Sequence, residues 1–329
     1  MNAFVKLPLS EQALYFKQAS SKIGLSAEAV EKDFWVVWVL DRLFRSPILA
    51  DKIIFKGGTS LSKVFGLIRR FSEDIDLILD WNQVVKEDPN LERSKTKQDK
   101  FNKSVNELSR KYIADVFLGE VQQRLGTVCS AAIEAGAPDI INIQYPSSFE
   151  SAYLRPEIRL EIGPLALWVP HAEYEIRSYM AETTPALFDD SVCRVRAIKA
   201  ERTFWEKATI LHAEAFRPKV KPLSLRHSRH YYDLIMMAAD PEVKQAAFSD
   251  LELLRTVVAF KAKFYPVSWA RYDLATPGTF KLMPLADHIK HLANDYAQMR
   301  VMFFGEIPSF DEIIDGLRKL ESEINALQD

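Results

Sequence analysis

The chain has 329 residues and a formal net charge of −2, from 43 Lys and Arg against 45 Asp and Glu. That balance excludes binding of a polyanion by bulk charge and confines any phosphate-rich partner to a local patch. Apolar residues make up 48% and charged residues 27%, as in a folded globular chain of one large or two ordinary domains rather than a disordered one. Two cysteines far apart, Cys129 and Cys193, make neither a disulfide framework nor a zinc ligand set, which fits a reducing compartment. The N-terminus has no apolar run behind a basic start. The most apolar stretch, FWVVWVL at 34–40, is far too short to span a bilayer. The expectation is a cytoplasmic protein with no membrane partner.

In chain order, residues 10–45 read as helical. Ser26 caps a helix from Ala27, and Val30, Phe34, Val37 and Trp38 form its apolar stripe. IIF at 53–55 reads as a buried strand, followed at once by Lys56-Gly57-Gly58-Thr59-Ser60. Leu61, Val64, Phe65 and Ile68 then predict a helix that stops near Arg70. SEDIDLILDW is a second strand, with Ile75, Leu77 and Leu79 on one face and Asp74, Asp76 and Ile78 on the other. The polar residues 82–104 predict a long surface loop, and 105–135 regain helical spacing. DIINIQY and YLRPEIRLEIG, between 139 and 169, are strand candidates. From about 196 the chain reads as helical: one helix at 200–215, a basic connector at 217–230, a helix from 228 through YYDLIMMAA, and a last helix opened by a Ser309/Glu312 capping box.

The strongest chemical signal is FKGGTSLSKVFGLIRRFSEDIDLIL, residues 55–79. A strand delivers two glycines to a helix start, where a phosphate can approach the backbone closely. Thr59 and Ser60 add hydroxyls, and the next strand offers Asp74 and Asp76 on one face. Paired carboxylates suit a hard divalent cation that also contacts substrate phosphates. GG before a helix and D-x-D are each common alone; their union in one strand–turn–helix–strand unit is much rarer. Neither G-x-x-x-x-G-K-[ST] nor G-x-G-x-x-G is present, which excludes a P-loop and a dinucleotide fingerprint. His212, His227 and His230 match no zinc spacing.

GGTSL followed by RFSEDIDL resembles the AbiEii/AbiGii nucleotidyltransferase family of the polymerase-beta-like superfamily, toxins of abortive-infection toxin–antitoxin systems related to the MenT toxins. VEKDFWVVWVLDRLF (30–44), LEIG (160–163), ERTFWEKATILHAE (201–214), RHYYDL (229–234) and FYPVSWARYDLATPGT (264–279) extend the resemblance over most of the chain. It implies an α+β fold: a nucleotidyltransferase domain over 1–195, with a mixed sheet flanked by helices, and a helical domain over 196–329 that contributes Lys207 and Asp233 to the cleft. Asp74 and Asp76 match the metal-binding carboxylates and Glu161 the third carboxylate. Lys207 matches a lysine that engages the triphosphate, and Asp233 the terminal Asp of an R-D-x-x-D motif opened by Arg229, with His230 in place of its first Asp. Gly57, Gly58, Thr59 and Ser60 match the nucleotide-holding turn, and Lys63 and Arg69 are grouped with them; Arg70 is an alternative to Arg69. Two Mg²⁺ ions are implied, with Mn²⁺ as a substitute, alongside an NTP, an RNA acceptor such as a tRNA 3′ end, and a cognate antitoxin.

Each assignment has a plainer counterpart. Glu157 and Glu161 share a strand face with Arg159 and could merely flank it as surface charges. Lys207 could be a solvated residue at the edge of an apolar stripe, and Asp233 could pair with Arg229 for structure alone. The basic clusters at 93–103 and 217–229 taken alone read as solvated faces, and beside a nucleotidyltransferase site they also fit phosphate contact. At the level of function, the alternatives to RNA transfer are AMP or GMP transfer to protein, and RNA or partner binding on a degenerate transferase scaffold.

Overall fold

Alternation of buried and half-exposed residues builds the centre of the protein. In the computed structural model, which describes residues 1–150 and 154–328, seven strands form one mixed sheet. The chain divides into two units: Met1–Phe65 with Phe71–Ile198, and Gly66–Arg70 with Lys199–Asp329. The fold is α+β.

In the first unit, α1 (Leu9–Ile23) and α2 (Ala27–Phe44) precede β1 (Ile53–Lys56), α3 (Gly57–Lys63) and β2 (Asp74–Leu79). Then come α4 (Lys95–Tyr112), a π-turn, α5 (Leu118–Leu125), β3 (Ser130–Glu134), β4 (Ala137–Gln144), β5 (Glu157–Gly163), β6 (His171–Ile176), α6 (Tyr179–Thr183) and β7 (Cys193–Ile198). The strand order is β3-β4-β5-β2-β1-β7-β6, with β2 parallel to β5 and antiparallel to β1. Ile54, Ile78 and Ile198 close the core on three neighbouring strands. Ser26 caps α2 as expected, accepting a hydrogen bond from the Ala29 amide. Phe34 to Leu40 are all buried, so α2 is wrapped on every side rather than along one stripe.

The second unit holds α7 (Ala200–Ala215), α8 (Arg229–Ala239), α9 (Pro241–Phe248), α10 (Leu251–Phe264), α11 (Ala286–Gln298) and α12 (Phe310–Asn325); α7 packs on α8, α9 and α10, and its Trp205 stacks on Phe248 and meets Phe280. The Ser309/Glu312 capping box forms at α12. Among the described residues no helix is long and apolar enough to cross a membrane.

Four expectations change. The helix after the glycines starts at Gly57 itself and ends at Lys63, because Gly66 adopts φ +64° and turns the chain out; residues 66–70 join the second unit. The expected loop at 82–104 is half helix: α4 begins at Lys95. Its inward face is Gln98, Phe101, Asn102, Val105 and Ser109, so two amides stand where a hydrophobic stripe would be sought, and Gln98 donates to Asn102 at 2.8 Å. The alanine-rich end of 105–135 is strand β3, turned into β4 at Gly136 with φ +81°. The second strand candidate starts at Glu157 rather than Tyr153, which lies outside the described residues.

Candidate active site

Two rungs across the sheet set the chemistry. On β2, Asp74 and Asp76 alternate with buried Ile75 and Leu77, so both carboxylates leave by the same face. Asp76 is paired with Lys56 of β1 on one side and with Glu161 of β5 on the other. Asp74 is paired with Arg159, whose own partner on β4 is Asn142. Cross-strand partners share a face, so Lys56, Asp74, Asp76, Arg159 and Glu161 form one polar patch while Ile158, Leu160 and Ile162 are buried on the other side.

The charges in this patch are unequally partnered. Arg159 holds Glu161 Oε1 at 3.0 Å and Glu134 Oε2 at 2.9 Å. Glu161 does flank Arg159, as the plainer reading had it, and still lies beside Asp76. Oδ1 of Asp74 is buried and receives no hydrogen bond. Burial, reinforced by Glu73 and Asp76, raises the Asp74 carboxyl above the usual carboxylate range.

The glycine turn serves these carboxylates directly. Gly57 has φ +81°, and a Cβ built there would collide with Oδ2 of Asp76. The glycine was expected to admit a phosphate; what it demonstrably admits is the Asp76 carboxylate. The neighbouring hydroxyls are also spoken for. Thr59 Oγ1 donates to the carbonyl of Asp74 at 2.5 Å, and Ser60 Oγ donates to the carbonyl of Gly57 at 2.9 Å; both residues are buried. Lys63 was grouped with the nucleotide-binding residues. Its ammonium instead sits 2.9 Å from Asp33 Oδ1 and over the Tyr179 ring, with both charged side chains 3% exposed. A cation buried in that way fastens α3 to α2.

The second unit contains its own cluster. Asp233 is fully buried; Arg70 grips it with Nε at 2.7 Å and Nη2 at 2.9 Å, and Lys207 Nζ adds a third contact at 2.7 Å. Burial alone would raise this carboxyl, but the two cations and their hydrogen bonds outweigh it and hold it well below its ordinary value. Lys207 is lowered as well, which for an ammonium works against the charged form. Burial lowers it, and Arg70 and Arg229 add to that against the pull of Asp233. Lys207 is therefore not a solvated lysine, and the partners of Asp233 are Arg70 and Lys207, not Arg229. Arg70 is taken up by that pair, whereas Arg69 is exposed, its backbone N–H donating to the Tyr232 hydroxyl at 2.9 Å. His230 Nδ1 lies 3.2 Å from Lys207 Nζ, and burial and adjacent cations keep this imidazole neutral. Arg70 and Lys207 share one carboxylate, and Arg229 is near enough to act on Lys207 and His230, so the cluster has an excess of positive charge.

His212 is structural. Its Nδ1 accepts from the Lys281 amide, so Nε2 carries the proton donated to the Arg271 carbonyl. The basic clusters are partly neutralised in space. Arg93 pairs with Glu87, Lys103 with Asp99, Arg217 with Glu214 and Lys219 with Asp287. Lys95, Lys97 and Lys100 remain on the exposed face of α4.

The family profile for the AbiEii toxin, a nucleotidyl transferase of type IV toxin–antitoxin systems, matches residues 38–316. The chain belongs to the AbiEii nucleotidyltransferase toxin family. It is therefore a nucleotidyltransferase, and the match spans the two-rung patch with Asp74 and Asp76. Among solved structures, the nucleotidyltransferase toxin MenT4 of Mycobacterium tuberculosis H37Rv is similar at 15% identity and a TM-score of 0.50, over 96% of this chain and 90% of that one. That likeness concerns the fold. A candidate nucleotidyltransferase from H. pylori aligns at 18% identity and a TM-score of 0.37, over 90% of this chain and 99% of that one. No curated protein matches the sequence.

The patch suits a hard cation in part. The unpartnered, buried oxygen of Asp74 beside Asp76 is the donor chemistry that Mg²⁺ selects. Among the described residues no three His, Cys, Asp or Glu side chains converge on one point, Glu161 being held by Arg159. Two carboxylates with remaining positions filled by substrate phosphates is a common arrangement for Mg²⁺.

Three features of the site escaped the sequence. Lys56 was legible as the strand residue opposite Asp76 only once the pairing was known. The charges Glu31, Lys32 and Asp33 were hidden inside an apolar stripe, yet each is at most 2% exposed. Strand β7 carried a readable alternation in CRVRAI and was passed over.

Proposed function

We propose that this toxin transfers a nucleoside monophosphate from an NTP to an RNA hydroxyl, with the 3′ end of a tRNA as acceptor, using two Mg²⁺ ions held at Asp74 and Asp76. Mn²⁺ would serve in their place. The observation that carries the reading is the rung that sets Asp76 between Lys56 and Glu161, against a glycine whose Cβ-less backbone the carboxylate needs.

In this reaction the acceptor oxygen attacks the α-phosphorus, the bond to the β-phosphate oxygen breaks, and pyrophosphate leaves. Cations held there by Asp74 and Asp76 would supply positive charge to the triphosphate and would make the acceptor hydroxyl easier to deprotonate. Glu161 is assigned the proton lost by that hydroxyl. Gly57 and Gly58 give the nucleotide access to the backbone at the turn. The same resemblance that assigns the carboxylates also assigns Lys207, Arg229 and Asp233 to this reaction: Asp233 holds Lys207 in its charged state, and the cationic excess around it suits a polyphosphate. Lys95, Lys97 and Lys100 suit the backbone of an RNA. A cognate antitoxin and a cytoplasmic site of action follow from the toxin assignment.

The test pairs growth with labelling. Expression of the wild-type chain is expected to arrest growth and Asp74→Ala is not. Incubation of the purified chain with total RNA and each α-labelled NTP is expected to place the label in an RNA band. Label in a protein band instead would replace the RNA acceptor by a protein hydroxyl. An equally toxic Asp74→Ala would refute the catalytic origin of toxicity.

A further inference from the structure

Helix α2 buries three consecutive charges, and a buried charge persists only where its partners repay the loss of water. The middle one, Lys32, has a particular position. Its Nζ donates to Glu73 Oε2 at 2.8 Å and to the carbonyl of Arg155 at 2.9 Å. The same Glu73 oxygen accepts the backbone N–H of Arg155 at 3.2 Å. Glu73 immediately precedes Asp74 at the start of β2, and Arg155 lies two residues before β5 begins. Lys32 thus closes a three-way junction at the shared entrance of the two parallel strands that carry Asp74, Asp76 and Glu161.

Parallel neighbours have no hairpin to set their alignment. A slip of one residue would turn Glu161 to the opposite face and put Leu160 or Ile162 beside Asp76. We propose that Lys32 is a positioning residue that, by clamping Glu73 to Arg155, sets the β2–β5 register and with it the pairs Asp74/Arg159 and Asp76/Glu161. The inference rests on reading those carboxylates as the reactive face. Its neighbour works on the other half of the site. Asp33 receives the Tyr179 amide at 2.6 Å and pairs with Lys63 at the end of α3, so one turn of α2 mounts both the carboxylate strands and the glycine turn.

The test compares the full-length wild-type chain with Lys32→Met/Glu73→Gln, Lys32→Arg and Glu120→Gln. The double variant removes both charges, so no lone ion is left buried. Glu120→Gln is the control: Glu120 lies on α5, accepts from the Ser46 hydroxyl and pairs with Arg124, so the substitution removes a buried charge and its ion pair away from β2 and β5. Amide hydrogen exchange and binding of Mn²⁺ alone are measured. In the double variant, amides of 74–79 and 157–163 are expected to exchange at least about tenfold faster while those of β6 and β7 keep their protection. Mn²⁺ affinity is expected to fall about tenfold, the scale of an outer-shell partner. Lys32→Arg restores both, and Glu120→Gln changes neither. Unchanged exchange in β2 and β5, or equal acceleration in β6 and β7, overturns the proposal. Faster exchange in β2 and β5 with a wild-type chain that binds no Mn²⁺ upholds the clamp and refutes the metal reading instead.

Discussion

Gly57→Ala and Gly24→Ala form a matched pair. Gly24 ends α1 at φ +80° with open space where a Cβ would go; Gly57 has φ +81° and would drive a Cβ into Asp76. Alanine in the left-handed region costs about 1–2 kcal/mol at either position. The stabilisation from a less flexible unfolded chain is the same in both and cancels in the comparison. Only Gly57→Ala must also displace a carboxylate, an overpacking cost of about 1–3 kcal/mol more. Urea melts should therefore separate the two by that margin. Displacing a reacting group by roughly 1 Å lowers activity about a hundredfold, so nucleotide incorporation should collapse in Gly57→Ala and stay normal in Gly24→Ala. Removing the obstacle in Gly57→Ala/Asp76→Ala should return stability to the Gly24→Ala level without restoring activity. Equal melts and equal incorporation in the two single variants would refute the contact as the reason for the glycine.

Other expectations follow from the same geometry. Lys63→Met leaves the Asp33 charge buried without its counter-ion, so it should cost about 3–5 kcal/mol in a thermal or urea melt; a raised nucleotide KM at undiminished stability would return Lys63 to the nucleotide. Asp233→Asn strands two buried cations and should cost about 3–5 kcal/mol. Because the Asp233 carboxyl is depressed when folded, its contribution is complete above the unfolded value near roughly 4 and is lost as pH falls below it. Wild type should thus weaken in acid melts more steeply than Asp233→Asn. Asp74 has the opposite sign. Its carboxyl is raised when folded, so its ionisation opposes folding as pH rises through the raised value, and a bound cation must displace its proton. Mn²⁺ affinity should increase with pH above roughly 4, an increase that Asp74→Asn should flatten.

The parts of the site that were legible in the sequence are the local ones. Strand Ile53–Phe55, the alternation of β2, the span of α7 and the cap at Ser309 each rest on neighbours a few residues apart. The pairing of Asp76 with Glu161 joins positions 85 residues apart, and Arg70 reaches Asp233 across 163 residues, so neither follows from spacing. The burial of Lys32 and Asp33 is invisible in the sequence because their partners, Glu73 and Lys63, come from later elements. The hydroxyls of Thr59 and Ser60 were read as phosphate donors because the sequence does not reveal that backbone carbonyls have already taken them. The near-zero net charge was read as two cation patches against one carboxylate centre; in space, ion pairs with Glu87, Asp99, Glu214 and Asp287 shrink those patches.

The most direct test of the central claim follows the label of an NTP into RNA. The wild-type chain should label RNA from an α-labelled and not from a γ-labelled nucleotide, and Asp76→Ala, with its fold verified by melting, should transfer nothing. Absence of label with all four nucleotides, or undiminished transfer by Asp76→Ala, would contradict the assignment of the carboxylate rung to catalysis.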